Sequence, residues 1–323
     1  MIREIIRITF GLLFFILLIG SFSYWFENKV YNSFISYDNK YTTDSIAGHI
    51  KKPNLAVHFE WKEHKNGKFT IITNNLGFRE DTKTKSLKEN NSQRILITGD
   101  SHTDGVCNNS ESFSNILEES MNRLDSRLKW EVINGGVGYY TFKNYKGFLK
   151  RNLFLNPDKY IVTLYTGNDF IEAIFTDQPP TLIESVKRSY YRIRKYWRFP
   201  GADQLGLSQA HLQQLYFELY PEVIKSAQEI AISELRDIQF ICDKNKIELI
   251  ILLLPSNLET KLKYDASILT QKLIETLETS SIRYINLLPA FQKSEKNLFW
   301  EQDLHLNTEG HKVVASILFA EQQ

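Results

Sequence analysis

From Arg94 onward the chain carries five short runs that are apolar at consecutive positions: "RILITGD", "WEVINGGV", "KYIVTLYTG", "IELIILLLP" and "IRYINLLPAF". A strand with one face in water alternates apolar and polar side chains, so runs without that alternation have both faces covered. Between them lie longer helical patterns such as Ser112 to Leu124, Pro221 to Asn245 and Ser267 to Ser280. Strands covered by helices on both sides make a parallel α/β sandwich, and residues 94–323 are expected to fold as one three-layer α/β/α domain. With 323 residues, 42% of them hydrophobic, the chain has ample material for that core.

Two segments precede this domain. Ile8 to Phe26 contains no charged residue and matches the ~20 residues that a bilayer-crossing helix needs. Arg3 and Arg7 precede the run, whereas Glu27 and Lys29 cancel after it, so the positive-inside rule keeps the N-terminus cytoplasmic and sends the remainder outside. Ser21-Phe22-Ser23 offers small residues for signal cleavage, but the long aromatic-rich run favours an uncleaved transmembrane anchor over residues 1–29. Residues 30–93 are expected to form a connector with a small β-hairpin. Val57, Phe59 and Trp61 share one face of an alternating segment, Phe69 and Ile71 alternate in the next, and Asn66-Gly67 lies between them. Arg79 to Gln93 lacks a core pattern and reads as a surface linker.

Lys plus Arg number 39 against 38 Asp plus Glu, so no global field draws nucleic acid, and any specificity must come from a local site. Cys107 and Cys242 are not at zinc-ligand spacing; no metal or cofactor is expected, and the thiols read as unpaired packing residues, with a disulfide as the alternative in an oxidising compartment. One stretch, 171–220, interrupts the alternation of strands and helices. Its "SVKRSYYRIRKYWRFPG" interleaves basic and aromatic residues directly after a strand end, which fits a lid or substrate wall, or an amphipathic helix packed on the domain.

In a parallel sheet, functional groups collect where the strands' C-terminal ends open into loops. Ser101 follows the first run, Gly135, Gly136 and Gly138 the second, and Gly167-Asn168-Asp169 the third; Asp303 and His305 stand just ahead of the last helical pattern. A serine hydroxyl is a poor nucleophile until a base takes its proton, and His305 is the candidate base. A carboxylate beside the imidazole fixes its tautomer and stabilises the cation, a role suited to Asp303. The tetrahedral oxyanion needs donors, for which the Gly138 N–H and the Asn168 amide are the candidates. Asp100 reads as a turn residue bonding backbone N–H groups, Asp169 as a turn or helix-cap residue, His311 as a packing histidine, and Cys107 as a small buried residue. His49, His58, His64 and His211 show no partner pattern.

Gly99-Asp100-Ser101, "NGGVG", Gly167-Asn168-Asp169 and Asp303-Leu304-His305 occur in an order that resembles the SGNH hydrolase superfamily, also called GDSL-type esterases and lipases. The resemblance spans roughly Arg94 to the C-terminus. It implies a flavodoxin-like sandwich, acyl transfer from ester to water through an acyl-serine, and an oxyanion hole built from the Ser101 N–H, the Gly138 N–H and the Asn168 side chain. Three features depart from the family pattern: His102 follows the serine in place of a leucine, the glycine block is one residue shorter, which keeps Gly136 as the alternative to Gly138, and one residue rather than two separates Asp303 from His305.

The expectation is therefore a membrane-anchored serine esterase outside the cytoplasm that removes acetyl or other short acyl groups from an envelope glycan. A lipase or lysophospholipase would run the same chemistry on lipid, an O-acyltransferase would replace water with an acceptor hydroxyl, and a noncatalytic envelope scaffold would use the insertion for protein contacts.

Overall fold

The computed structural model describes residues 2–37, 40–124, 127–174, 209–261 and 265–322. The chain divides into two compact units, of which one holds the N-terminal helix α1 (Ile2–Tyr37) and the other runs over Lys40–Ile174 and Ser208–Gln323. Side chains from Phe10 to Leu18 in α1 are apolar and exposed apart from Gly11. Among the described residues no helix is long and apolar enough to cross a membrane, so the expected span is not a finding of the fold.

The larger unit opens with two antiparallel hairpins, β1 (Tyr41–Asp44) with β2 (Gly48–Lys51) and β3 (Ala56–Glu60) with β4 (Lys68–Ile72). The second is the expected hairpin, with Val57 opposite Ile71 and Phe59 opposite Phe69. Its connection is longer than a two-residue Asn-Gly turn. Trp61 N–H reaches the Gly67 carbonyl at 2.7 Å and His64 folds inside the loop, where it is 2% exposed. The first hairpin was not legible, because "YTTD" and "GHIK" are too short and polar to show a period.

All five apolar runs form the main sheet: β5 (Ser92–Thr98), β6 (Lys129–Asn134), β7 (Lys159–Tyr165), β8 (Glu248–Leu254) and β9 (Arg283–Asn286). Every pairing is parallel, and the order β6-β5-β7-β8-β9 makes the sheet doubly wound with its switch point between β5 and β7. Ile95, Ile97, Ile161, Ile250 and Leu252 face α3 (Phe113–Leu124) and the C-terminal helix (Thr308–Ala320), sharing a core with Phe113, Leu117, Val314 and Leu318. Leu96, Val162, Leu249, Ile251 and Leu253 turn to the opposite face, where α4 (Phe142–Asn152) and the helices Ile224–Asn245 and Ser267–Thr279 lie. Each such side chain contributes about 1.5–3 kcal/mol by leaving water, which explains why neither face of these strands carries polar alternation.

Arg79 and Glu80 depart from the expected surface linker, since both are buried. Glu80 accepts the Asn134 N–H at 2.9 Å and the Asn115 amide at 3.0 Å, joining the segment before β5 to the end of β6. Burial pushes its carboxyl from an ordinary 4.5 up to about 8. Folding thus retains the proton, so this contribution is fully present below the ordinary value and is lost as pH rises toward and through about 8. The Tm difference between the wild-type chain and Glu80→Gln should change in favour of the variant as pH rises from 5 to 9, because glutamine has no proton to lose.

Candidate active site

Strand β5 passes into a one-turn helix, α2 (Ser101–Asp104), through Gly99, where any Cβ would overlap Thr103 Oγ1. Asp100 caps that turn by accepting the His102 N–H at 2.8 Å. Gly105, at φ +86°, ends it by donating to the Ser101 carbonyl at 2.8 Å. So short a helix cannot hold itself. Its support comes from the connector: the wholly buried Arg79 donates to the carbonyls of Asp104, Gly105 and Cys107, and Lys51 Nζ donates to Asp104 Oδ1 at 2.5 Å. Burial opposes charge on both members of the Lys51–Asp104 pair. It pulls Lys51 down to about 8, whereas at Asp104 the charges of Lys51 and Arg79 outweigh it and hold the carboxyl below its ordinary value.

Ser101 Oγ stands 2.8 Å from His305 Nε2, and His305 Nδ1 stands 2.6 Å from Asp303 Oδ2. With Nδ1–H donating to the carboxylate, Nε2 of the neutral ring is left to accept the serine proton. The single residue between carboxylate and base is accommodated by Leu304, whose φ of +65° turns the chain back so that its two neighbours meet. A left-handed leucine costs about 1–2 kcal/mol. The loop is closed by Trp300 N–H to the His305 carbonyl at 2.9 Å and by the Phe299–Leu306 bridge. Burial disfavours the imidazolium, but the hydrogen bond and charge of Asp303, with Asp100 and Asp104 behind it, raise His305 above its ordinary 6.5.

Gly138 lies beside Ser101: a Cβ built on it would stand 3.9 Å from Ser101 Cβ and 2.8 Å from the Tyr41 hydroxyl. Among the described residues neither the Gly138 N–H nor the Ser101 N–H has a hydrogen-bond partner. Gly136 is a packing glycine; its N–H is taken by Asn134 Oδ1 at 3.0 Å, and a Cβ there would overlap the backbone of Thr103 and Asp104. Asn168 sits after β7, on the neighbouring strand, and is 2% exposed. Its amide donates to Glu172 Oε1 at 2.9 Å, because α5 (Asp169–Ile174) places that carboxylate one turn along. The expected oxyanion donor is therefore engaged within its own helix turn.

His102 does not face solvent. It is 3% exposed and its ring stacks on Tyr165, centroids 3.8 Å apart, and tilts against His305 at 4.6 Å. Burial, with the His305 charge, holds it well below its ordinary value, so it is a neutral floor under the base. Asp100 and Asp169 are both fully buried. Burial first, and for Asp169 the charge of Asp100 next, raise them, Asp100 to about 6. His311 is the packing residue expected: it stacks on Phe113, and burial pulls it down to about 3. Cys107 and Cys242 are free and buried, their thiols pushed up to about 12 by that burial.

Several residues at the site carried no local signal in the chain. His49 Nε2 donates to the Gly138 carbonyl at 2.9 Å and the Tyr140 hydroxyl to the His49 carbonyl at 2.6 Å, so the first hairpin braces the glycine loop. His64 pairs with Glu111 at 2.9 Å and His58 with Thr70 at 2.9 Å, so these histidines have partners after all. Gln213, in the helix Gln209–Leu219, donates to the Thr166 carbonyl at 2.6 Å and accepts the Ile171 N–H at 3.1 Å, bracing the Asn168 turn. The rest of the expected insertion, 175–208, lies outside the described residues.

A doubly wound sheet presenting a hydroxyl, an imidazole and a carboxylate in hydrogen-bonded series is an arrangement of the serine-nucleophile kind. No family model and no curated protein matches the chain. Among solved structures, the chain is similar to a two-domain esterase active on acetylated mannans, at 14% identity and a TM-score of 0.44, over 72% of this chain and 49% of that one. The chain thus spans about half the length of that esterase. It is similar to a protein from Desulfitobacterium hafniense DCB-2 assigned to the lipolytic G-D-S-L family, at 15% identity and TM-score 0.44, over 71% and 98% of the two chains. It is also similar to an acetylxylan esterase from Geobacillus stearothermophilus, at 14% identity and TM-score 0.46, over 71% and 93%.

Because the base must be neutral and its pKa is raised, the acid limb of kcat/KM for ester hydrolysis should lie above pH 6.5. Asp303→Asn should lower kcat by about 10³–10⁴-fold by favouring the wrong tautomer, with the circular-dichroism spectrum unchanged. Leu304→Val, β-branched at a positive φ, should lower both Tm and kcat, whereas Leu304→Gly should leave Tm unchanged or higher.

Proposed function

We propose that the protein is a serine carboxylic ester hydrolase. The observation that carries the reading is the series Ser101–His305–Asp303, at 2.8 and 2.6 Å, beside two backbone N–H groups without partners among the described residues. Ser101 Oγ attacks the ester carbonyl while His305 Nε2 takes its proton, and the resulting oxyanion is met by the Ser101 and Gly138 N–H groups, with the Asn168 amide turning from Glu172 to join them. Collapse of the intermediate breaks the C–O bond to the alcohol, which leaves with the proton from His305. Water, deprotonated by the same imidazole, then attacks the acyl-serine, and release of the acid restores the hydroxyl.

The substrate is read as a short acyl ester of a glycan. Supporting a small acyl group, the space beside Gly138 and Ser101 is occupied by the Tyr41 hydroxyl, and the rings of Tyr41, His49 and Tyr140 pack edge to face behind it. Supporting a sugar, Tyr139 directly follows Gly138, is held at φ +67° and is 50% exposed, which brings an aromatic ring to the glycine loop beside Ser101. A membrane anchor is supported by the composition of α1, where Phe10, Leu12, Leu13, Phe14, Phe15, Ile16, Leu17 and Leu18 are each at least 51% exposed, and placement of the domain outside the cytoplasm by Arg3 and Arg7 ahead of that run.

The full chain in detergent should hydrolyse p-nitrophenyl acetate and be labelled by a serine-directed phosphonate, and Ser101→Ala should abolish labelling and lower turnover by about 10⁴-fold or more. A wild-type chain inert in both assays would overturn the hydrolase reading. Tyr139→Ala should raise KM several-fold for an acetylated oligosaccharide while leaving that for p-nitrophenyl acetate unchanged; equal effects on both would remove the sugar platform. Retention of the chain in membranes after alkaline carbonate washing checks the anchor, and release into the supernatant refutes it.

A further inference from the structure

The carboxylate of Glu63, in the loop joining β3 to β4, accepts three consecutive backbone N–H groups: Glu301 at 2.7 Å, Gln302 at 3.1 Å and Asp303 at 3.4 Å. The third belongs to the residue that bonds His305. We propose that Glu63 is a positioning residue for Asp303, acting through the turn 301–303 to set the hydrogen bond between that carboxylate and the base. The inference deepens the hydrolase reading and rests on it.

The geometry gives Glu63 leverage over one particular bond. The turn is bounded on its far side by Leu304 in the left-handed region, so the backbone cannot relax to a common conformation without moving Asp303 away from the ring. Three N–H groups converging on one anion orient the peptide planes that precede this bend, and charge-assisted bonds of this kind are the strong ones. Glu63 is itself held. Next to it His64 is buried, donates to Glu111 at 2.9 Å and accepts the Asn66 N–H at 3.2 Å, and the loop is closed by the Trp61–Gly67 bond. Trp300, just before the turn, donates to the Val106 carbonyl at 3.1 Å, which ties the same loop to the segment after the nucleophile helix. The β3–β4 hairpin therefore belongs to the machinery of the site, linking a residue far upstream in the chain to the orientation of the base.

The proposal is tested on the full chain with Glu63→Ala and Glu63→Gln, reading kcat and KM for p-nitrophenyl acetate from pH 5 to 9, Tm, and the His305 imidazole titration by NMR. In Glu63→Ala, kcat should fall roughly 10- to 100-fold with KM within about twofold. The His305 titration and the acid limb should move to lower pH, because the Asp303 bond that raises the imidazole is weakened. Glu63→Gln keeps one accepting oxygen and should recover part of both effects. An unchanged His305 titration in Glu63→Ala overturns the proposal even if kcat falls, since loss of stability alone leaves that bond intact. Should Glu63→Ala fail to fold, Glu63→Gln with wild-type titration and kcat overturns it equally. A wild-type chain neither active nor labelled at Ser101 refutes the hydrolase reading, and this proposal with it; a labelled wild type with indifferent Glu63 variants refutes the proposal alone.

Discussion

A one-turn helix has too few hydrogen bonds of its own to keep a nucleophile in place, and the buried guanidinium of Arg79 supplies what is missing. By donating to the carbonyls of Asp104, Gly105 and Cys107, it satisfies backbone acceptors that the helix leaves open, while Lys51 neutralises the Asp104 side chain from the other side. Removing one partner from such a buried set costs about 3–5 kcal/mol, because the remaining charge stays out of water. The rigid presentation of Ser101 therefore depends on residues that precede the sheet in the chain.

The same dependence recurs around the base. Asp303 and His305 are adjacent enough for local geometry to bring them together, but only through a left-handed leucine, and only with the turn ahead of it pinned by Glu63. His102 closes the underside of the imidazole with a neutral ring. A cation in that position would oppose an imidazolium at His305, which the proposed attack requires; burial keeps His102 uncharged, and Asp303 is the foremost of the groups that raise His305.

Both hairpins serve the site. The first places Tyr41 and His49 against Gly138 and so shapes the wall beside the nucleophile, and the second carries Glu63. Each is a small sheet with little core of its own, and each gains stability by packing on the larger domain. Residues 40–93 accordingly form one compact unit with the sheet.

The sequence by itself determined the five parallel strands, because strands buried on both faces leave unbroken apolar runs, and it singled out Ser101, Gly138 and Asn168 after strand ends, where a buried sheet meets solvent, with Asp303 and His305 ahead of the last helix. It also carried the second hairpin, whose alternation is a period-two signal. What only the tertiary structure decided were the contacts between residues distant in the chain: Arg79 and Lys51 under α2, His49 on Gly138, Gln213 behind the Asn168 turn, and Glu63 on the turn of Asp303. A charged residue reads as solvated until a partner is brought to it. The engagement of the Asn168 amide by Glu172, and of the Gly136 N–H by Asn134, was beyond a motif for a related reason: residue type sets what a group can donate, and only the packed chain sets which acceptor it meets.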